Sequence, residues 1–215
     1  MLYFSSLLKT IKKYKRSAVR LFKVLDKHGI EYELLDNTND IWIRDFMPVR
    51  TKSGKYVSFR YDPSYLDNPN LKTDFREDIA PNFPIDNLIY SHINLDGGNI
   101  VFPPSKETAV ISDRIFTENK DASPTELVQE LKQLLEAKII IIPSLKSDFT
   151  GHADGMVRFI DEHTALINNT PYKNGLEQKI AKKLRVHGID TIPFPYFDSR
   201  GDSAIGTYLN YLETE

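Results

Sequence analysis

The sequence predicts an α/β fold in which similar helix–strand units follow one another around a common centre. Three observations point there. An amphipathic helix followed closely by a short apolar strand occurs three times. Two of the junctions are near copies, Lys27-His28-Gly29-Ile30-Glu31 and Val186-His187-Gly188-Ile189-Asp190. Small or acidic turns recur at Asp45, Asp96, His152 and Gly206, in steps of 51, 56 and 54 residues. A period of about 50 marks a repeated supersecondary unit. The alternative is plain helix–strand alternation. The polar chemistry carried at the turns favours the repeat.

In the first unit Leu7, Leu8, Ile11, Tyr14, Ala18, Leu21, Phe22 and Leu25 fall at helical spacing, with lysines on the opposite face. His28-Gly29 closes that helix, because glycine suits a left-handed cap. Ile30 to Leu35 then reads as a strand. The apolar run from Ile41 to Val49 reads as another, with Arg44-Asp45 inside it. The second unit is the weakest. Its helix falls at Asp74 to Ala80, and Pro63, Pro69, Pro81 and Pro84 cut the region into loops. In the third unit Ser123-Pro124-Thr125-Glu126 is a helix start: Ser caps, Pro sits first and Glu reaches back. Leu127, Val128, Leu131, Leu134 and Leu135 form its stripe, and Ile139 to Ile142 reads as a buried strand. The fourth unit has Leu176, Ile180, Ala181 and Leu184 on a helix, then a strand from Ile189 to Phe194. Asp154 to Ile160 reads as a strand after the third turn. No Gly/Ser linker interrupts the chain, so 1–215 is expected to be a single domain.

The 215 residues carry a net charge of −2 and no cysteine. That excludes disulfides, thiolate zinc sites, iron–sulfur clusters and a thiol nucleophile within this chain. The balanced charge gives no electrostatic reason to expect nucleic acid. No apolar run reaches the roughly 20 residues that span a bilayer. The start is apolar and then basic, the reverse of a secretory signal. A soluble, cytoplasmic protein without a membrane partner is expected, and a homo-oligomer is left open.

The turns hold the candidate site. His152 and Asp154 lie two apart, and on a strand such residues share a face. Gly151 and Gly155 flank this pair. The alternative is a surface turn. Asp45 with Arg44 inside an apolar run is costly to bury unless matched, and the alternative there is an Arg–Asp brace. Asp96 precedes Gly97-Gly98, a pair that permits a tight turn or close approach of a ligand to the backbone. The alternative is a turn-forming Asp. Three acids and one His at equivalent turns suit a planar cation, since carboxylates match guanidinium bidentately. They suit a His/Asp metal site equally well.

Four segments carry a family resemblance. Asn39-Asp40-Ile41-Trp42-Ile43-Arg44-Asp45-Phe46-Met47-Pro48-Val49 resembles the first motif of agmatine deiminases and bacterial, Porphyromonas-type peptidylarginine deiminases. Leu95-Asp96-Gly97-Gly98-Asn99-Ile100 resembles their second motif, which more often has Glu before the glycines. The segment Thr150-Gly151-His152-Ala153-Asp154-Gly155-Met156-Val157-Arg158-Phe159 resembles their catalytic His motif. Gly206-Thr207-Tyr208-Leu209-Asn210-Tyr211-Leu212 resembles a later strand. The match runs in order from about residue 25 to the end.

The resemblance implies a pentein fold: a radial α/β propeller of ββαβ-like units, about four of the five present. It implies hydrolytic loss of ammonia from a guanidine, without metal or organic cofactor. The guanidine is agmatine, giving N-carbamoylputrescine, or arginine or peptidylarginine, giving citrulline. By motif, Asp45 and Asp154 would clamp the guanidinium and Trp42 would line the pocket. His152 would be the general acid/base and Asp96 would orient it. Two departures stand out. Asp96 is one methylene shorter than the usual Glu. The family's Cys nucleophile belongs to a fifth unit, which the repeat period puts at roughly residue 260, so the chain reads as a member cut before its nucleophile and inactive alone. Two rival readings are a non-catalytic guanidine-binding or regulatory protein and a metal-dependent hydrolase built on the His/Asp cluster.

Overall fold

Strand β1 (Leu2–Ser5) leads through α1 (Leu7–Thr10) and α2 (Lys12–Lys27) to β2 (Tyr32–Leu35), which lies parallel to β1. The computed structural model describes residues 1–169, 175–197 and 208–211. The single helix expected over 7–25 is broken at Ile11, whose extended backbone ends α1 and begins α2. Ala18, Phe22 and Leu25 of α2 pack on Phe4, Tyr32 and Leu34. Gly29, at φ 65, lets the Ile30 N–H return to the Leu25 carbonyl. Gly188, at φ 76, does the same for Ile189 and Leu184.

The strand expected across Ile41–Val49 is instead one helical turn, α3 (Ile43–Phe46), with only β3 (Val49–Arg50) extended after it. The turn buries Phe46. It also lets the Arg44 guanidinium donate to the Gly97 and Ile100 carbonyls. An extended chain would send Arg44 and Asp45 to opposite faces; the helical turn aims both at the same loop. β3 pairs antiparallel with β4 (Tyr56–Arg60), and β4 pairs parallel with β5 (Leu88–Asn94). The helix expected at Asp74–Ala80 is present as the short turn Phe75–Ile79. The Asp74 carboxylate caps it by accepting the Arg76 and Glu77 N–H groups.

The pattern returns twice. β6 (Ile100–Val101) is antiparallel to β7 (Thr108–Ser112), which passes through α4 (Arg114–Glu118) and α5 (Pro124–Leu135) to a parallel β8 (Lys138–Ile142). β9 (Val157–Phe159) is antiparallel to β10 (Thr164–Asn169), which passes through α6 (Leu176–Arg185) to a parallel β11 (Asp190–Pro195). Asp154 to Met156, expected at the start of β9, stay in the preceding turn. Pro124 opens α5 as expected, but Ser123 makes no side-chain cap bond. That helix ends on Glu136 at φ 53 rather than on glycine. Its carboxylate accepts the Thr51 hydroxyl, the Ser53 N–H and a Lys55 N–H, which together offset the left-handed backbone.

The cores explain the strand sequences. Ala109 and Ile111 of β7 face Leu127, Leu131 and Leu135 of α5. Val110 between them faces the other way, with Ile140, Ile142, Val157, Ile180 and Leu184. The sheet β6–β7–β8 is thus covered on both sides, which is why Ile139 to Ile142 is uninterruptedly apolar. The fourth turn, Ala204-Ile205-Gly206, lies outside the described residues. Of the strand expected after it, 208–211 are described, and they form a turn closed by the Tyr211 N–H on the Leu209 carbonyl. Among the described residues no helix is long and apolar enough to cross a membrane.

Leu131 is fully buried, whereas Gln129 on the same helix faces solvent. Leu131→Ala should cost about 3 kcal/mol of unfolding free energy, through lost transfer energy and a residual cavity. Gln129→Ala should stay within about 0.5 kcal/mol of the parent. Urea unfolding followed by circular dichroism measures both, and equal midpoints for the two variants would contradict this core.

Candidate active site

Three short turns precede β3, β6 and β9, and each delivers one part of the site. The α3 turn carries Asp45. The turn Gly97–Asn99 before β6 carries Asp96 at its start. The loop before β9 carries His152 and Asp154, and neither lies on a strand. They share a site because the loop folds around Gly98, not because of strand parity.

Gly98 is the meeting point. Its N–H donates to Asp45 Oδ1 at 2.9 Å. Its carbonyl accepts the Asp154 N–H at 3.1 Å. A Cβ built on Gly98 would sit 2.6 Å from Asp45 Oδ1, 2.7 Å from His152 Nδ1 and 3.1 Å from Asp154 Oδ2. Those distances place the three side chains around one backbone position. A Cβ on Gly97 would lie 2.0 Å from the Arg44 carbonyl oxygen. Neither glycine needs a positive φ; the diglycine is a requirement of space. Asn99 completes the junction, its Oδ1 accepting the Ser112 N–H at 3.0 Å and the Ala153 N–H at 3.1 Å.

His152 is buried and bridges the acids. Its Nε2 is 2.7 Å from Asp96 Oδ2, and its Nδ1 is 3.7 Å from Asp45 Oδ1. Asp96 therefore reaches the imidazole despite its shorter side chain. A second donor, the Tyr65 hydroxyl, meets the same Asp96 Oδ2 at 2.8 Å. Trp42 starts the turn that carries Asp45 and is 56% exposed.

Burial pushes the Asp45 carboxyl up to about 7, and the Asp96 and Asp154 charges add to the rise. The His152 charge and the Gly98 N–H pull it back only in part. Burial also lifts the Asp154 carboxyl, against the pull of His152 and Arg44. For His152, burial favours the neutral ring. The hydrogen bond to Asp96 and the charges of Asp45, Asp96 and Asp154 outweigh it and raise the imidazole to about 9. At neutral pH the ring is an imidazolium beside an Asp45 carboxyl that is only partly ionised. Such separation of neighbouring groups is what acid–base chemistry requires.

Arg44, Asn99, Tyr61 and Tyr65 support the cluster without having stood out as site residues in the sequence. Asn99 follows the diglycine directly, which was the available signal. Tyr61 and Tyr65 sit in a proline-cut loop with no periodic pattern, so nothing local marks them. Among the described residues, no group of three or more His, Cys, Asp or Glu side chains is arranged to hold a metal ion.

Among solved structures, Campylobacter jejuni agmatine deiminase ("C. Jejuni Agmatine Deiminase") is similar over 93% of this chain and 73% of its own, at 20% identity and a TM-score of 0.67. Agmatine deiminase of Enterococcus faecalis is similar over 89% of this chain and 66% of its own, at 15% identity and a TM-score of 0.65. A dimethylarginine dimethylaminohydrolase shares the fold at 9% identity, with a TM-score of 0.53 over 85% of this chain and 66% of its own. A search of curated protein sequences gives no match. These likenesses establish a pentein-like mixed α/β fold. The profile of the Porphyromonas-type peptidyl-arginine deiminases matches residues 6–214, nearly the whole sequence, and on that match the chain belongs to their family.

Proposed function

We propose that the cluster around Gly98 binds the guanidinium of agmatine, or of an arginine-type guanidine, as part of a hydrolase that releases ammonia from it. The observation that carries this reading is the meeting of Asp45, Asp154 and His152 at one glycine, with Asp96 behind the imidazole. A guanidinium stays charged at neutral pH and offers planar N–H groups that carboxylates match. Asp45 and Asp154 are the clamp. His152, protonated at neutral pH, gives its proton to the leaving nitrogen and then takes one from the incoming water. Asp96 holds the ring in place for both transfers.

A covalent route needs a nucleophile at the guanidinium carbon, and these 215 residues contain no cysteine. The chain therefore supplies the positioning and proton-transfer parts and not the attacking group. That same lack favours a second reading, guanidine binding without turnover. As to architecture, we read the chain as one domain of about four radially arranged ββαβ units acting in the cytoplasm. The common connection pattern of the three three-stranded sheets supports the repeated units.

Binding should depend on pH through Asp45, whose carboxyl must ionise to meet a cation. With its midpoint near 7, agmatine affinity should fall about tenfold per unit as pH drops below that midpoint. His152 keeps its proton throughout that range and adds no slope. Asp45→Asn should make the profile shallower, leaving the slope of the raised Asp154 carboxyl, and weaken binding by about 1.5–3 kcal/mol, the scale of one charge-assisted hydrogen bond. Asp154→Asn should weaken binding by a similar amount. Isothermal titration calorimetry with agmatine between pH 5 and about 8.5 reads all three proteins; affinities equal to the parent's would refute the clamp.

Turnover gives the second test. The purified 215-residue protein should release no ammonia from agmatine above background. Thr150 carries the hydroxyl nearest in sequence to His152, and its Oγ1 donates to the Asp148 carboxylate at 2.8 Å rather than to the imidazole. Ammonia release that disappears in His152→Ala and survives a chelator would show a nucleophile other than a thiol.

A further inference from the structure

Tyr65 lies in the loop after β4, away from all four sequence motifs, yet its hydroxyl ends on the one carboxylate oxygen that also holds His152. The two contacts are 2.8 Å from Tyr65 and 2.7 Å from His152 Nε2, both to Asp96 Oδ2. The Tyr65 ring meets the imidazole edge-on at 6.0 Å. It is fixed on its other sides by Phe149 at 5.5 Å and by the Arg114 guanidinium 5.5 Å from its centroid. Arg114 is itself held by Glu118, the Phe149 carbonyl and Ser64 Oγ. These contacts fix the ring so that its hydroxyl is aimed at Asp96 Oδ2. We propose that Tyr65 is a positioning residue for the His152–Asp96 pair, competing with the imidazolium for Asp96 Oδ2 and so setting how tightly His152 keeps its proton.

This rests on the reading of His152 as the group that moves protons. The physics is a shared acceptor. A carboxylate oxygen that takes a hydroxyl hydrogen bond is a weaker partner for a second donor. Tyr65 thus fixes the Asp96 rotamer and moderates its hold on the ring. The groups facing His152 are Asp96 and Tyr65 on one side, Asp45 from the α3 turn, and Asp154 from its own loop. Those facing Tyr65 are Asp96, Asp45 and Tyr61, with Arg114 behind the ring. Burial and these carboxylates drive the Tyr65 hydroxyl upward, so it keeps its proton and remains a donor at any working pH.

Phe in place of Tyr65 keeps the ring contacts and deletes the donor. The proton resonances of the His152 ring, identified among the five histidines by their loss in His152→Gln, report its titration by NMR without any ligand or turnover. In Tyr65→Phe the His152 midpoint should rise by about half a pH unit, a fraction of the worth of one hydrogen bond to a charged group, because the contact is weakened by sharing and not lost. Asp96→Asn should lower the midpoint, and adding Tyr65→Phe to it should then change nothing, because the two act through the same oxygen. Tyr61→Phe, which leaves the Tyr65 hydroxyl on Asp96, should leave the midpoint closer to the parent's than Tyr65→Phe does. A midpoint that stays or falls in Tyr65→Phe, or a shift that persists in the Asp96→Asn background, would overturn the proposal. Loss of agmatine binding with the predicted His152 shifts intact would instead count against the guanidine reading alone.

Discussion

The backbone at Gly97 and Gly98 is the surface on which three separate turns close, and it works because nothing projects from it. Arg44, Asp45, His152 and Asp154 come from loops far apart in sequence, and their atoms fill the volume a Cβ would need at those two positions. The turns are then locked by two bonds to the Gly98 backbone: its N–H donates to the Asp45 carboxylate and its carbonyl accepts the Asp154 N–H. Asn99, using one side-chain oxygen for two N–H groups, joins the second turn to β7 and to the loop of His152. The site is therefore as rigid as the sheets behind it, which suits a function that depends on placing charges.

Those charges are a burden to the fold. Burial disfavours the ionised forms of Asp45 and Asp154 and the protonated form of His152 alike. The acids more than relieve the imidazole, but the imidazole relieves Asp45 only in part, so Asp45 remains reluctant to ionise near neutral pH. A cation entering beside it would supply what the pocket lacks. A buried acid this reluctant to ionise, beside a protonated imidazole, is better explained by function than by packing.

The sheets carry this burden with apolar sequence. β7 and β8 each send alternate residues into two different cores. A three-stranded sheet covered on both faces is stiff enough to hold its leading turn in register. β1 and β2 pack Leu2, Phe4, Tyr32 and Leu34 into a single smaller core against α2.

Much of this was legible from local pattern. Stripe spacing set α2, α5 and α6; the paired His-Gly endings set two helix caps; and the recurring turns located Asp45, Asp96 and His152. Each of these rests on interactions within a few residues, which sequence spacing encodes. Asp45 was read on a strand, and the structure puts it on a helical turn. What decided it was Arg44 finding the carbonyls of Gly97 and Ile100, more than fifty positions away. Ser123 was read as a capping side chain and makes no such bond, while Glu136 ends its helix without glycine because Thr51, Ser53 and Lys55 hold it there. Tyr65 was invisible, since its partner Asp96 lies 31 residues on. Local periodicity determined the helices, the strands and the turns that bear acids. Which side chains meet, and on which atoms, was decided by contacts between turns that only the closed chain brings within hydrogen-bond reach.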